Sequence, residues 1–220
     1  MSFLVDAAEY YKAEPHQKAA WDELEARLPK DTLEWFKQAY RTAQKPVGTK
    51  LLQVPYFAQN DNASGTGYRE CFSSSCAMLA AERGKIKSDD QYNLVRQHFG
   101  DTTDLGAQLG ALSKLGLKPR FQTNGTPELL EHLIDAGRPV AVGWLHKGPV
   151  TAPTGGGHWS VVIGYTPTHF ILHDPNGEAS LVSGGYVNNS GGQSVAYSRK
   201  NWLPRWEVDG EGTGWYLTCS

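Results

Sequence analysis

"HWSVVIGYTPTHFILHDPNG", residues 158–177, holds two short apolar runs rich in β-branched and aromatic residues. A polar "TPT" separates them, and Pro175 and Gly177 break the chain after the second. This is the signature of two adjacent strands joined by a tight turn. Upstream, "PVAVGWL" (139–145) has the same texture, "EASLVSGG" (178–185) reads as a further strand, and "GWYLT" (214–218) as the last. The segments before them read differently. "CFSSSCAMLAAERG" (71–84) is helical with Gly84 as its stop. "SDDQYNLVRQHFG" (88–100) and "TTDLGAQLGALSKLG" (102–116) are helices opened by Ser or Thr caps. "KPRFQT" (118–123) is a strand, and "TPELLEHLIDAG" (126–137) a helix with Pro in its first turn. Helices come first and strands second. That order predicts an α+β fold, a helical half packed on an antiparallel β-sheet, rather than alternating βαβ units.

The hairpin also places chemistry. A three-residue "TPT" turn sets Tyr165 opposite His169 and His158 opposite Asn176. His158 is then diagonal to Asp174 on one face, roughly 7–8 Å away between α-carbons and within side-chain reach. A two-residue turn would put them on opposite faces. His169 and His173 fall on the other face with Trp159, Val161, Ile163 and Ile171, as polar residues of a sheet face or edge. His16, His98, His132 and His146 lie in helices or loops with no visible partner. His158 is therefore the candidate base and Asp174 the group that orients it.

The chain has three cysteines, Cys71, Cys76 and Cys219, too few and too oddly spaced for a disulfide framework. Cys71 follows the polar loop "AQNDNASGTGYRE" and opens a helix, where unpaired N–H groups favour a negatively charged sulfur. Cys76 points roughly 140° away around the helix. Its neighbours Ala77, Met78 and Leu79 mark it as packing, and the divergence rules against a Cys71–Cys76 disulfide or a zinc pair. Gln59, upstream of Cys71, has an amide that can join the Cys71 N–H in stabilising an oxyanion. The glycines of "TAPTGGG", Gly156 and Gly157 among them, let a substrate backbone approach His158 closely.

The rest of the chain bounds the function. A net charge of -2 points to neither nucleic acid nor an anionic membrane as partner. No segment approaches the roughly 18 apolar residues of a membrane helix, so no membrane insertion is expected. "MSFLVDAAEYYKAEPHQ" has an early acid and no apolar core, so it does not read as a signal peptide. The expectation is cytoplasmic synthesis of a soluble chain that acts as a monomer. Residues 1–47 read as a helical hairpin appendage, with Trp21, Leu24 and Leu28, then Leu33, Phe36 and Tyr40, at helical spacing. Residues 48–220 form the main domain. Seven Trp and ten Tyr beside twenty-four Gly suit a β-rich body with glycine loops, most of the aromatics being core.

"VPYFAQ", "CFSSSCAML", "GGGHWSVVIGY" and "HDPNG" together resemble the papain-like cysteine peptidases of the C39-like family. The resemblance covers residues 50 to 180. It implies a papain-like fold in which Gln59, Cys71, His158 and Asp174 serve as oxyanion donor, nucleophile, base and orienting carboxylate, with no metal or other cofactor. "CFSSS" departs from the family's usual "CGPTS", which removes a Gly and a Pro after the nucleophile. The "EPHQKAAWDEL" region and the tail "YSRKNWLPRWEVDGEGTGWYLT" resemble phage and bacterial members that act on cell-wall peptides. The expected substrate is accordingly the peptide part of peptidoglycan, as for an endolysin released to the wall by a holin-type route. The alternatives are a peptidase processing Gly-Gly leaders and a non-catalytic wall-binding module on the same fold. Gly156, Gly157, Trp159 and Trp202 are the candidate substrate contacts. Trp202, Trp206 and Trp215, with Arg199, Lys200 and Arg205, read equally well as a groove lining or as core.

Overall fold

The computed structural model describes residues 48–220, together with Arg27, Pro29 and Thr32. The helical hairpin expected over residues 1–47 lies outside the described residues. Thr49–Ser220 form one unit. Its elements are β1 (Lys50–Leu51), α1 (Cys71–Glu82), α2 (Asp89–Arg96), α3 (Leu105–Lys114), β2 (Pro119–Gly125), α4 (Pro127–Asp135), β3 (Val140–Trp144), β4 (His158–Tyr165), β5 (His169–His173), β6 (Val195–Ser198), α5 (Arg199–Trp206) and β7 (Gly214–Cys219).

The strands form one seven-stranded sheet in the order β2-β7-β3-β4-β5-β6, with β1 added to the end of β4. Every pairing is antiparallel. Successive residues of a strand face opposite sides. Ala141, Val161, Ile163 and Leu217 accordingly pack with Cys76, Met78, Leu79 and Leu112 in one core. Val140, Val142, Val162 and Leu172 pack with Leu130, Ile134, Trp202 and Trp206 in a second. Helices therefore cover both faces: α1 and α3 one side, α4 and α5 the other.

The local signals behind the helices are mostly those expected. Ser88 caps α2 by accepting from the N–H of Gln91, and Thr126 caps α4 by accepting from Leu129. The cap of α3 is Asp104 rather than Thr102 or Thr103, its side chain accepting from Gly106. Three expectations change. Residues 178–185 form no strand, and only Ala179 makes an isolated bridge, to Tyr186. Strand β6 and helix α5 were not anticipated. Helix α5 contains Pro204, which normally ends a helix, and it survives because Trp202, Arg205 and Trp206 are all buried.

The hairpin differs in an instructive way. Tyr165 pairs with Phe170 and Gly164 with Ile171, one residue off the expected register. Val162 then pairs with Leu172 and Val161 with His173, so Ile163 is the extra residue of a β-bulge. The bulge cancels the turn's offset, and below it the pairing is the one a three-residue turn would have set. Edge strand β1 secures this spot. Leu51 pairs with Gly164, and the N–H of Leu52 donates to the Ile163 carbonyl at 2.8 Å. A Cβ on Gly164 would lie 2.4 Å from the Lys50 carbonyl oxygen, so only glycine admits the strand.

Arg205 is fully buried and has no acidic partner among the described residues. Its guanidinium donates to the carbonyls of Leu145, Lys147, Gly148 and Leu181 at 2.7–3.1 Å. It thereby ties the β3–β4 loop to the segment after β5. Arg205→Met keeps the bulk and takes the donor from four carbonyls, of which that of Lys147 keeps its bond from the Thr154 N–H. It should lower stability by about 2–5 kcal/mol, a Tm drop of roughly 5–15 °C in a calorimetric scan.

Candidate active site

Cys71 is the first residue of α1, and the N–H of Ser74 is the first to bond within the helix, to the Glu70 carbonyl at 2.9 Å. The N–H groups of Cys71, Phe72 and Ser73 therefore have no acceptor inside the helix, which leaves them available at the thiol. The helix is buried along most of its length. Even its serines are enclosed: Ser73 bonds Thr102 and Gln108, and Ser74 donates to Asp89 at 2.7 Å.

His158 opens β4 and is buried. Its Nε2 lies 2.7 Å from Oδ1 of Asp174, just past the end of β5. The Cys71 sulfur lies close enough to the His158 ring to favour its charged form. Burial works against a charged imidazole here. The Asp174 carboxylate and the Cys71 sulfur outweigh it, and the His158 pKa rises from 6.5 to about 10. Asp174 is itself fully buried. Its Oδ1 accepts from the N–H of Asn176 at 3.1 Å and its Oδ2 from the Tyr197 hydroxyl at 2.9 Å. Its carbonyl accepts from Tyr56, and its N–H donates to the Gly192 carbonyl. A Cβ on Gly192 would sit 1.9 Å from the Asp174 carbonyl oxygen.

Gln59 begins a single 3-10 turn, Gln59–Asp61, and is buried. Its backbone N–H donates to the Pro175 carbonyl at 2.8 Å, which joins the Gln59 loop to the turn that follows Asp174. Its Nε2 donates to the Gly67 carbonyl at 2.8 Å. An amide nitrogen carries two protons, so a second donor remains.

Beside Cys71 and His158 lies a cleft of about 540 Å³. Phe72, the residue after Cys71, stacks on Trp159, the residue after His158, at 3.8 Å between ring centres. Phe121, Trp144, Trp206 and Trp215 contribute further rings, and Gly155, Gly156 and Gly157 line the cleft next to His158. Gly156, Gly157 and Trp159 thus border it. Trp202 does not. It is fully buried in the second core, against Phe170 and stacked on Trp206 at 5.2 Å. Among the described residues no group of three His, Cys, Asp or Glu side chains is placed to hold a metal ion.

A thiol beside a carboxylate-held imidazole, at a helix start and next to a cleft, is an arrangement for acyl transfer. The sequence profile of the Peptidase_C39 like family matches residues 51–202, most of the chain. The chain belongs to that family. It is a cysteine peptidase with the papain-like fold. A solved Bacillus anthracis chain described as a C39-like peptidase is 17% identical, with a TM-score of 0.55 over 78% of this chain and 97% of that one. Two others superpose at a TM-score of 0.48 and 18% identity. One is a double-glycine-motif protease of an AMS/PCAT transporter in complex with the leader peptide, covering 79% of this chain and 96% of that one. The other is the peptidase domain of Streptococcus ComA, a bifunctional ABC transporter, covering 78% and 97%. No curated protein matches.

This C39-like site contains residues that the sequence did not single out. His146, expected to lack a partner, packs on His158 at 5.6 Å and on Tyr186 at 5.7 Å. Burial and the nearby charges of His158 and Lys147 lower its pKa to about 4. Trp144 and Tyr186 meet the His158 ring edge-on at 5.4 and 5.5 Å. His173 is buried rather than at an edge. Its Nε2 bonds the Val54 carbonyl, and the Ser194 N–H donates to its Nδ1, which fixes it neutral. Pairing register alone could have pointed to Trp144, which faces His158 across β3 and β4. Nothing local marks Tyr197.

A raised histidine pKa stabilises the folded state below the unfolded value of 6.5, and the effect is lost as pH climbs through the folded value of about 10. Asp174→Asn removes the main source of the rise. Its Tm deficit relative to the parent should be largest near pH 6 and shrink towards pH 10.

Proposed function

We propose that this C39-like peptidase hydrolyses amide bonds in the peptide part of peptidoglycan, with Cys71 as nucleophile, His158 as base and acid, Asp174 as orienting carboxylate and Gln59 as oxyanion donor. The observation that carries the chemistry is the 2.7 Å contact of His158 with Asp174 while the same ring engages Cys71. His158 holds the proton and leaves Cys71 as thiolate. The sulfur attacks the carbonyl carbon, and the C=O electron pair moves onto oxygen. That oxyanion is met by the Cys71 N–H and the second N–H of Gln59 Nε2. Collapse breaks the C–N bond as His158 gives its proton to the leaving amine, which yields a thioester. Water then attacks the thioester while His158 takes its proton, and the acid product leaves as Cys71 returns to thiolate. All of these groups come from one chain, so a monomer suffices.

The cleft supports the choice of substrate. A selective site for two glycines would be a narrow slot, since neither residue has a side chain to hold. Here about 540 Å³ is walled by aromatic rings, whose faces suit the sugar rings that flank wall peptides. Trp215, half exposed, presents such a face at the rim. An endolysin-type enzyme would reach this substrate through a lesion in the membrane.

Purified protein incubated with sacculi should release stem-peptide fragments. Cys71→Ala should lower release by at least about 10³-fold and still sediment with the wall. Binding without release by the parent would favour a wall-binding module. Release from a Gly-Gly peptide but not from sacculi would favour leader processing.

A further inference from the structure

Glu70, immediately before Cys71, is 1% exposed. Three neutral donors converge on its carboxylate: Asn62 Nδ2 at 2.6 Å, Thr66 Oγ1 at 2.8 Å and Asn93 Nδ2 at 3.3 Å. Asn62 and Thr66 belong to the loop from Gln59 to Cys71, and Asn93 belongs to α2. The loop itself is polar and offers almost no apolar anchor, as Gln59, Asn62, Gly67 and Glu70 are its buried residues. Hydrogen bonds must therefore set its shape.

Those bonds run to the Gln59 amide. The Glu70 N–H donates to the Gly67 carbonyl at 3.0 Å, and Gln59 Nε2 donates to the same oxygen at 2.8 Å. Gly67 is pressed against Gln59, since a Cβ there would lie 2.1 Å from the Gln59 carbonyl oxygen. A shift of the Gly67 carbonyl would carry the Gln59 amide with it. Oxyanion donors work only within a few tenths of an ångström. We infer that Glu70 is a positioning residue for Gln59. Its carboxylate gathers the loop so that the second Gln59 N–H faces the carbonyl attacked by Cys71. This rests on the oxyanion role proposed for Gln59.

Two probes separate the routes. Acylation of Cys71 by p-nitrophenyl acetate passes through an oxyanion, whereas alkylation by iodoacetamide does not. Glu70→Ala should slow acylation about tenfold or more and leave alkylation within about twofold. Glu70→Gln should stay within about threefold of the parent in both. Its amide oxygen still accepts from Asn62 and Asn93, and the Thr66 hydroxyl can turn to accept from its N–H. In a Gln59→Ala background, Glu70→Ala should cost nothing further. If Glu70→Ala does not fold, Thr66→Val carries the same test, with a loss of a few-fold that vanishes in the Gln59→Ala background. Losses that multiply, or alkylation that falls in step with acylation, overturn the inference alone. Gln59→Ala acylating at the parent rate would sink the oxyanion role, and the inference with it, while leaving Cys71 as nucleophile untouched.

Discussion

The pairing of β4 with β5 is the constraint on which the site depends, because it alone decides whether His158 and Asp174 share a face. A strand alternates sides with every residue, so an offset of one would send the two side chains apart. The turn does introduce that offset, and the bulge at Ile163 removes it before the ladder reaches Val161 and His173. The correction is held from outside by β1, whose approach to Gly164 leaves no room for a Cβ. A short edge strand of two exposed residues thus fixes the register of a buried pair at the other end of the hairpin.

Two isolated buried charges hold the loops around that pair. Glu70 gathers the Gln59 loop through Asn62, Thr66 and Asn93. Arg205 gathers the carbonyls of Leu145, Lys147, Gly148 and Leu181. Neither has an oppositely charged partner among the salt bridges of the described residues. A buried charge is costly unless its hydrogen-bonding capacity is met. Each charge therefore recruits several neutral groups at once, and that many-to-one geometry is what shapes a loop. An ion pair would satisfy each charge with one residue and organise less chain.

The sequence was most legible where periodicity and chemistry coincide. The strands at 140–144, 158–165 and 169–173 have near-continuous apolar patterns, and the helices at 71–82 and 127–135 have clear starts. His158, Asp174 and Cys71 were legible because each sits at the end of such an element. Trp206 and Trp215 line the cleft and Trp202 does not, a division invisible in a tail where all three Trp look alike. Helix α5 was hidden by Pro204, and its stability comes from tertiary burial that no local rule reports. Tyr197, Tyr56 and Arg205 act through partners 23 to 118 positions away, a separation that erases any sequence signal. The register at His158 was anticipated from a turn that the structure does not contain, and only the bulge makes the expectation coincide with the outcome.

The surroundings of His158 also limit which proton can move. The proposed reaction shuttles a single proton between Cys71, His158 and the leaving group or water. Other titratable rings lie within contact of His158 or Asp174, and each is kept from exchanging protons near neutral pH. His146 is held neutral, with its pKa lowered to about 4 by burial and by the His158 and Lys147 charges. Tyr186 and Tyr197 are held protonated, chiefly by burial and then by the Asp174 charge. Tyr197 spends its proton on Asp174 Oδ2, which leaves Oδ1 for His158. The burial matters most for His146, which would otherwise titrate near its ordinary value of 6.5, whereas the tyrosines start from 10 and are only moved further away. Enclosure raises the cost of every charge in the site, and among its rings that of His158, flanked by Asp174 and Cys71, is the one compensated well enough to carry a proton's charge.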